Sequence, residues 1–169
     1  MLPRWRRIIV SLMLVVMLVV GTGCTAQPPS QFEQAQEQSQ KPGAIAVAKN
    51  ATQGSEFNKF FPKPQEGYER VYTQEKKGFA EAKLKKDGKD LAMLSISDTI
   101  SLPSAAQKFQ QSNSRISGYP AVNIGTTQTA VLVNDRYQVK VLSRDPSFTQ
   151  ADRVSWLEKF DLQGLGQLQ

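Results

Sequence analysis

The chain has no histidine and only one cysteine in 169 residues. The first absence removes the commonest general base and the commonest metal ligand. The second rules out an intramolecular disulfide and any centre built from several thiolates, zinc and iron–sulfur sites included. There is no Gly-x-Ser-x-Gly, no P-loop and no dinucleotide fingerprint. The chain therefore reads as a non-enzyme with no cofactor and no metal. Asp87, Asp90 and Asp98 are the one carboxylate group to weigh. A turn explains Asp87 better, and a loop or strand end explains Asp98.

Charge of one sign is not in large excess. Of 21 basic side chains, three are Arg4, Arg6 and Arg7, which leaves 18 against 15 acidic ones in the rest of the chain. A surplus of about three gives no electrostatic footprint for nucleic acid. Long apolar runs are also scarce. The run Ile8 to Val20 is thirteen residues, broken only by Ser11. As a helix it spans about 20 Å, against roughly 30 Å of bilayer hydrocarbon, too short for a permanent crossing. With three arginines before it and Gly21, Thr22 and Gly23 after it, the run has the layout of a secretory signal peptide, residues 1–23.

The lone cysteine, Cys24, stands directly after that signal, in "GTGC". This stretch resembles the signal of bacterial lipoproteins, in which a small residue precedes a modified cysteine. Gly21 stands where that family carries leucine or another branched aliphatic. The resemblance implies cleavage between Gly23 and Cys24, a diacylglyceryl thioether on Cys24, and a further acyl chain such as palmitate on the new amino terminus. Each buried CH₂ contributes about 0.8 kcal/mol, so one chain holds marginally and two or three hold firmly. The expected place is the bacterial cell envelope, facing the periplasm or an equivalent extracytoplasmic space. "CTA", Cys24 to Ala26, leaves a second outcome open: cleavage after Ala26 and a soluble secreted protein.

Residues 24–56 are rich in Gln, Ser, Pro and Ala, with Phe32 as the one aromatic before Phe57. Such a stretch buries too little apolar surface to offset its ordering entropy and reads as a flexible linker. A coil of that length reaches roughly 30 Å from its anchor. The sequon "NAT", Asn50 to Thr52, reads as accidental beside a bacterial-type signal.

From Phe57 to the C-terminus, residues 57–169, the pattern is that of a folded domain. Phe57, Phe60 and Phe61 are expected to clamp its first turn into the core. Strands are predicted over Tyr68–Gln74, Phe79–Lys86 and Asp90–Ser97. In the second, Ala80, Ala82 and Leu84 share one face; in the third, Ala92, Leu94 and Ile96 do. Asp87-Gly88 supplies a two-residue hairpin turn between them. A helix is expected from Pro103 to about Ser114, carrying Ala105, Ala106 and Phe109, and ended by Ser117, Gly118 and a turn at Tyr119-Pro120. Strands follow over Ala121–Gly125, Gln128–Asn134 and Arg136–Ser143, the last two joined at Asn134-Asp135. Thr149 and Asp152 form a capping box for a last helix, with Val154, Leu157 and Phe160 as its stripe and Gly164 and Gly166 as its end.

The order β-β-β-α-β-β-β-α with short connections implies an α+β domain, an antiparallel sheet with helices packed on one face. "VLVNDRYQVKVLS" followed by a helix ending in "FDLQGL" resembles uncharacterised bacterial lipoprotein domains, and the layout is similar to the PsbP/Mog1 fold. That resemblance implies a fold and no catalytic motif. Lys76, Lys77, Lys83, Lys85, Lys86 and Lys89 gather around the first hairpin. They would meet anionic headgroups or an acidic partner, or simply solvate a sheet face. The function expected is binding or scaffolding of a protein partner by a domain anchored in the membrane through Cys24. A small-molecule or lipid carrier is the rival and requires a closed apolar cavity.

Overall fold

A computed structural model of the chain describes residues 47–63 and 65–168. The signal segment, Cys24 and the linker up to residue 46 lie outside the described residues. The elements run α1 (Gly54–Phe57), a 3₁₀ turn (Asn58–Phe60), β1 (Tyr68–Lys76), β2 (Phe79–Lys86), β3 (Lys89–Asp98) and a 3₁₀ turn (Thr99–Ser101). They continue with α2 (Ser104–Gln107), β4 (Ser114–Ile116), β5 (Tyr119–Ile124), β6 (Gln128–Val133), β7 (Tyr137–Ser143), α3 (Gln150–Leu157) and α4 (Leu162–Gly166). The strands form one antiparallel sheet in the order β1-β2-β3-β7-β6-β5-β4. Two meanders thus meet at β3 and β7, near the middle of the sheet.

Alternation decides which face is the core. Ala80, Ala82, Leu84, Ala92, Leu94, Ile96, Tyr137, Val139 and Val141 are all buried on it, as their spacing predicts. Trp156, Leu157, Phe160, Leu162 and Leu165 from α3, α4 and the link between them cover that face. Phe57, Phe60 and Phe61 are buried there too. Phe57 meets Tyr137 edge-on at 5.8 Å, and Phe61 lies 5.3 Å from Phe160.

Three hairpin turns have positive φ at two successive positions: Asp87-Gly88 and Ser117-Gly118, each a two-residue connection, and Asn134-Asp135 within the three-residue β6–β7 connection. This geometry matches the twist of paired strands. Two of the three were predicted. The third moves the expected turn: Ser117-Gly118 is the bend, and Tyr119 and Pro120 lie inside β5, opposite Ile116 and Arg115. Strand β4 is therefore an element the sequence pattern missed. No peptide bond among the described residues is cis.

The helix expected over Pro103 to Ser114 is shorter. Only Ser104–Gln107 is α-helical, and turns carry the chain on to Ser112. The Ser112 hydroxyl donates to the carbonyl of Ala121 and accepts the Ser114 N–H, side-chain bonds that compete with a helical turn. Phe109 is nonetheless buried, but with Ala130 and Leu132 on the face opposite the main core. Helices thus lie against both faces, where the sequence suggested one. The final helix is also divided. The capping box at Thr149 and Asp152 is present. The helix stops at Leu157, and Asp161 starts α4 by accepting the Gly164 N–H at 2.8 Å. Gly164 and Gly166 lie inside α4 and not beyond the helical region.

The domain begins before Phe57. Ala51 and Gly54, placed in the linker by composition, are buried. The Gly78 N–H donates to the Thr52 carbonyl at 2.6 Å. A Cβ on Gly54 would stand 2.5 Å from the Lys76 carbonyl oxygen and 2.7 Å from that of Phe79, so only glycine allows α1 to sit this close to the β1–β2 turn. Polar composition hid this segment because its backbone, more than its side chains, makes the contacts.

Candidate functional site

Cys24 and the Gly23–Cys24 bond lie outside the described residues. The six lysines do not form one patch. Lys76 and Lys77 sit at the turn joining β1 to β2, and Lys86 and Lys89 at the opposite end of β2. The length of β2 separates them by roughly 25 Å. Lys83 and Lys85 share the Asp90 carboxylate, at 2.7 and 3.7 Å, and Lys89 reaches Asp145 at 2.6 Å. Lys86 lies over the Tyr68 ring, on the core side, and Lys76 over the Phe79 ring. Lys77 donates to the Lys49 carbonyl. Three of the six thus have carboxylates, and the other three lie against rings or backbone. Hairpin sequence brings them close along the chain, while strand length keeps them apart in space.

The three aspartates also separate. Asp87 is a turn residue at φ 51°, Asp90 begins β3 beside lysines, and Asp98 ends it. Among the described residues no three acidic, histidine or cysteine side chains converge as a metal group.

Asp98 is the centre of a built polar cluster that sequence reasoning set aside as a strand end. Its carboxylate is fully buried and accepts from Arg136 Nη2 at 2.8 Å and Nε at 3.1 Å. It also accepts the N–H groups of Thr52 at 2.9 Å and Ile100 at 3.1 Å. Burial pushes this carboxyl up, but the hydrogen bonds from Arg136, Thr52 and Ile100 outweigh it and hold the group below its ordinary range. Arg136 Nη2 continues to the Asn50 carbonyl and the Thr52 hydroxyl. The Thr52 hydroxyl lies 3.1 Å from that of Tyr137. The Ala48 N–H donates to Ser101 Oγ at 2.8 Å. The cluster fastens residues 48–52 to the ends of β3 and β7.

A second cluster, also missed, surrounds Arg153 on α3. This side chain is 3% exposed, although its place at i+3 from Gln150 on an amphipathic helix gives no hint of burial. Its Nε donates to Thr129 Oγ1 at 3.0 Å, Nη1 to Ser143 Oγ at 2.8 Å, and Nη2 to the Thr126 carbonyl at 3.1 Å. All three acceptors are neutral. Burial pulls this guanidinium below its ordinary value, against the opposing pull of the Asp152 charge.

Surface pockets of about 330 to 530 Å³ occur around the sheet ends and open to solvent. No helix of the described residues is long and apolar enough to cross a membrane. No family model, no curated relative and no solved structure matches this chain.

Proposed function

We propose that this is a lipid-anchored protein of the bacterial cell envelope whose C-terminal domain binds or scaffolds a protein partner. The observation that carries the reading is "GTGC" directly after a basic segment and a thirteen-residue apolar run too short to span a bilayer. Acyl chains on Cys24 hold the protein at the membrane, and the domain works in the extracytoplasmic space. Its fold is proposed as a relative of the PsbP-like layout, with a meandering sheet and short helices. The open shape of the pockets favours binding at a surface over carriage of a small molecule in a sealed chamber.

Intact-mass measurement of the membrane fraction tests the anchor. The expected species starts at Cys24 and carries the mass of a diacylglyceryl group and an N-acyl chain. Cys24→Ser should carry no lipid and retain its signal. A mature protein that begins at Gln27 and carries no lipid would establish the second outcome, soluble secretion. Crosslinking of the anchored protein in intact cells should then yield one stoichiometric partner that the Cys24→Ser protein fails to capture.

A further inference from the structure

We infer that the pocket between the β5–β6 turn, the β7–α3 loop and the start of α3 binds a small tetrahedral oxyanion of the phosphate or sulfate type. This goes beyond the proposed anchoring function and does not depend on it. The pocket is about 330 Å³, and its walls include Thr126, Thr127, Arg144, Asp145, Gln150 and Arg153.

Charge is the first argument. Among the described residues no carboxylate lies within 4 Å of Arg153 or of Arg144. A buried guanidinium stays protonated, so its charge is taken from water and is left without a counter-ion. The two nearby carboxylates are already committed. Asp145 Oδ2 holds Lys89 at 2.6 Å, and its Oδ1 accepts from the Ser147 backbone and hydroxyl. Asp152 is engaged by the Thr149 N–H and hydroxyl, both at 2.7 Å. Arg144 and Arg153 therefore line one pocket without an ion-pair partner, and together with Lys89 they exceed the local carboxylates, Asp145 and Asp152, by one positive charge. An anion meets that surplus, and the three acceptor oxygens of a phosphate group offer the free guanidinium donors more sites than the two of a carboxylate.

Donor inventory is the second argument. Guanidinium carries five N–H groups, and protein acceptors take three of those on Arg153. Two remain for a ligand. The three made bonds come from β6, β7 and the β5–β6 turn, so the plane of the guanidinium is fixed before anything binds. The neighbouring loop is held as well. The bulged Leu91 carbonyl in β3 accepts the N–H groups of Arg144 at 2.8 Å and Asp145 at 3.2 Å, which pins the start of the loop that carries Arg144. Donors are thus available from the loop at Arg144 and from the helix at Arg153, so an oxyanion can be held from two sides. The helix adds its own partial positive charge, since the N-terminus of the eight-residue α3 opens at Thr149 and Gln150 beside the pocket.

The test is titration of the full chain, in a non-ionic detergent, with inorganic phosphate at constant ionic strength maintained by sodium chloride. Calorimetry and the thermal midpoint are the readouts. Saturable binding of phosphate and of sulfate, and a midpoint that rises with each, are expected. Arg144→Gln changes an exposed side chain and leaves the fold intact; it should weaken phosphate about tenfold, the worth of one charged hydrogen bond. Arg153→Lys, which keeps the charge and loses the fork, should weaken it at least as much. Lys77→Gln, at the far end of the sheet, should bind like the parent. Absence of saturation beyond the chloride control overturns the site. So does an Arg144→Gln protein that binds phosphate as tightly as the parent. Acetate that binds as well as phosphate overturns the tetrahedral assignment.

Discussion

Arg136 Nη2 lies 2.8 Å from Asp98 Oδ2, and the same guanidinium nitrogen reaches the Asn50 carbonyl 86 residues earlier in the chain. One ion pair therefore closes the end of the β3–β7 ladder and fastens the segment that leads in from the linker. Wherever the N-terminal region is held, a pull on it arrives first at this cluster.

Removing the cation should be costly, because Asp98 would be left charged and buried. Arg136→Met is expected to lower unfolding stability by about 3 kcal/mol, the low end for a broken buried pair, since Arg136 itself keeps some contact with water. Urea denaturation measures this. A loss under about 0.5 kcal/mol would mean that the backbone donors of Thr52 and Ile100 suffice for Asp98 on their own.

The pH dependence has a definite sign. The Asp98 carboxyl is held below its ordinary value in the folded state, so its stabilisation is fully present above the unfolded value of about 4 and is lost as pH falls through the folded one. Asp145 behaves alike, with Lys89 and Ser147 lowering it to about 2. The domain should lose stability progressively below pH about 4. In Asp98→Asn that acid slope should be shallower, while stability at neutral pH is lower. NMR titration of the Asp145 carboxyl should give about 2 in the parent. In Lys89→Gln the value should move back toward the ordinary range.

Gly54 tests where the domain starts. Its position admits no Cβ, because backbone atoms of Lys76 and Phe79 stand within 2.7 Å of where one would be. Gly54→Ala should destabilise by about 1–3 kcal/mol, as overpacking does. If residues 51–56 were linker, the same change would be neutral. Thermal unfolding of the variant beside the parent decides.

Phe109 tests the second apolar cluster. It is buried against Ala130 and Leu132, away from the main core. Phe109→Ala should cost about 3 kcal/mol and speed hydrogen exchange in residues 104–112 more than in β7. Uniform acceleration across the domain would place Phe109 in the main core's cooperative unit instead.

The turn at Asn134-Asp135 invites a gain. Asp135 holds φ 53°, a conformation that glycine adopts without penalty. Asp135→Gly should raise stability by about 0.5 kcal/mol, read as a small upward shift of the urea midpoint. A loss would show that the Asp135 side chain has a stabilising role of its own.

The period-2 strands are legible in the residues themselves, because a one-residue slip in β2 would put Glu81 or Lys83 where Ala82 is buried, and one in β3 would put Met93 or Ser95 in place of Leu94. So are the Asp87-Gly88 and Asn134-Asp135 turns and the capping box at Thr149, since these are local matters of φ and of hydrogen bonds within four residues. Other features arise only when the chain is folded. Strand β4 is three residues long, too short to show a period, and exists because Ala121 and Pro120 lie opposite it. Residues 51–56 belong to the domain through backbone approaches that composition does not record. The lysines of the hairpin are scattered, and Arg153 is buried without an ion-pair partner among the described residues, because both outcomes depend on which distant loops arrive at the sheet ends. Local periodicity carries information about faces; only the closed sheet says which side chains share a place.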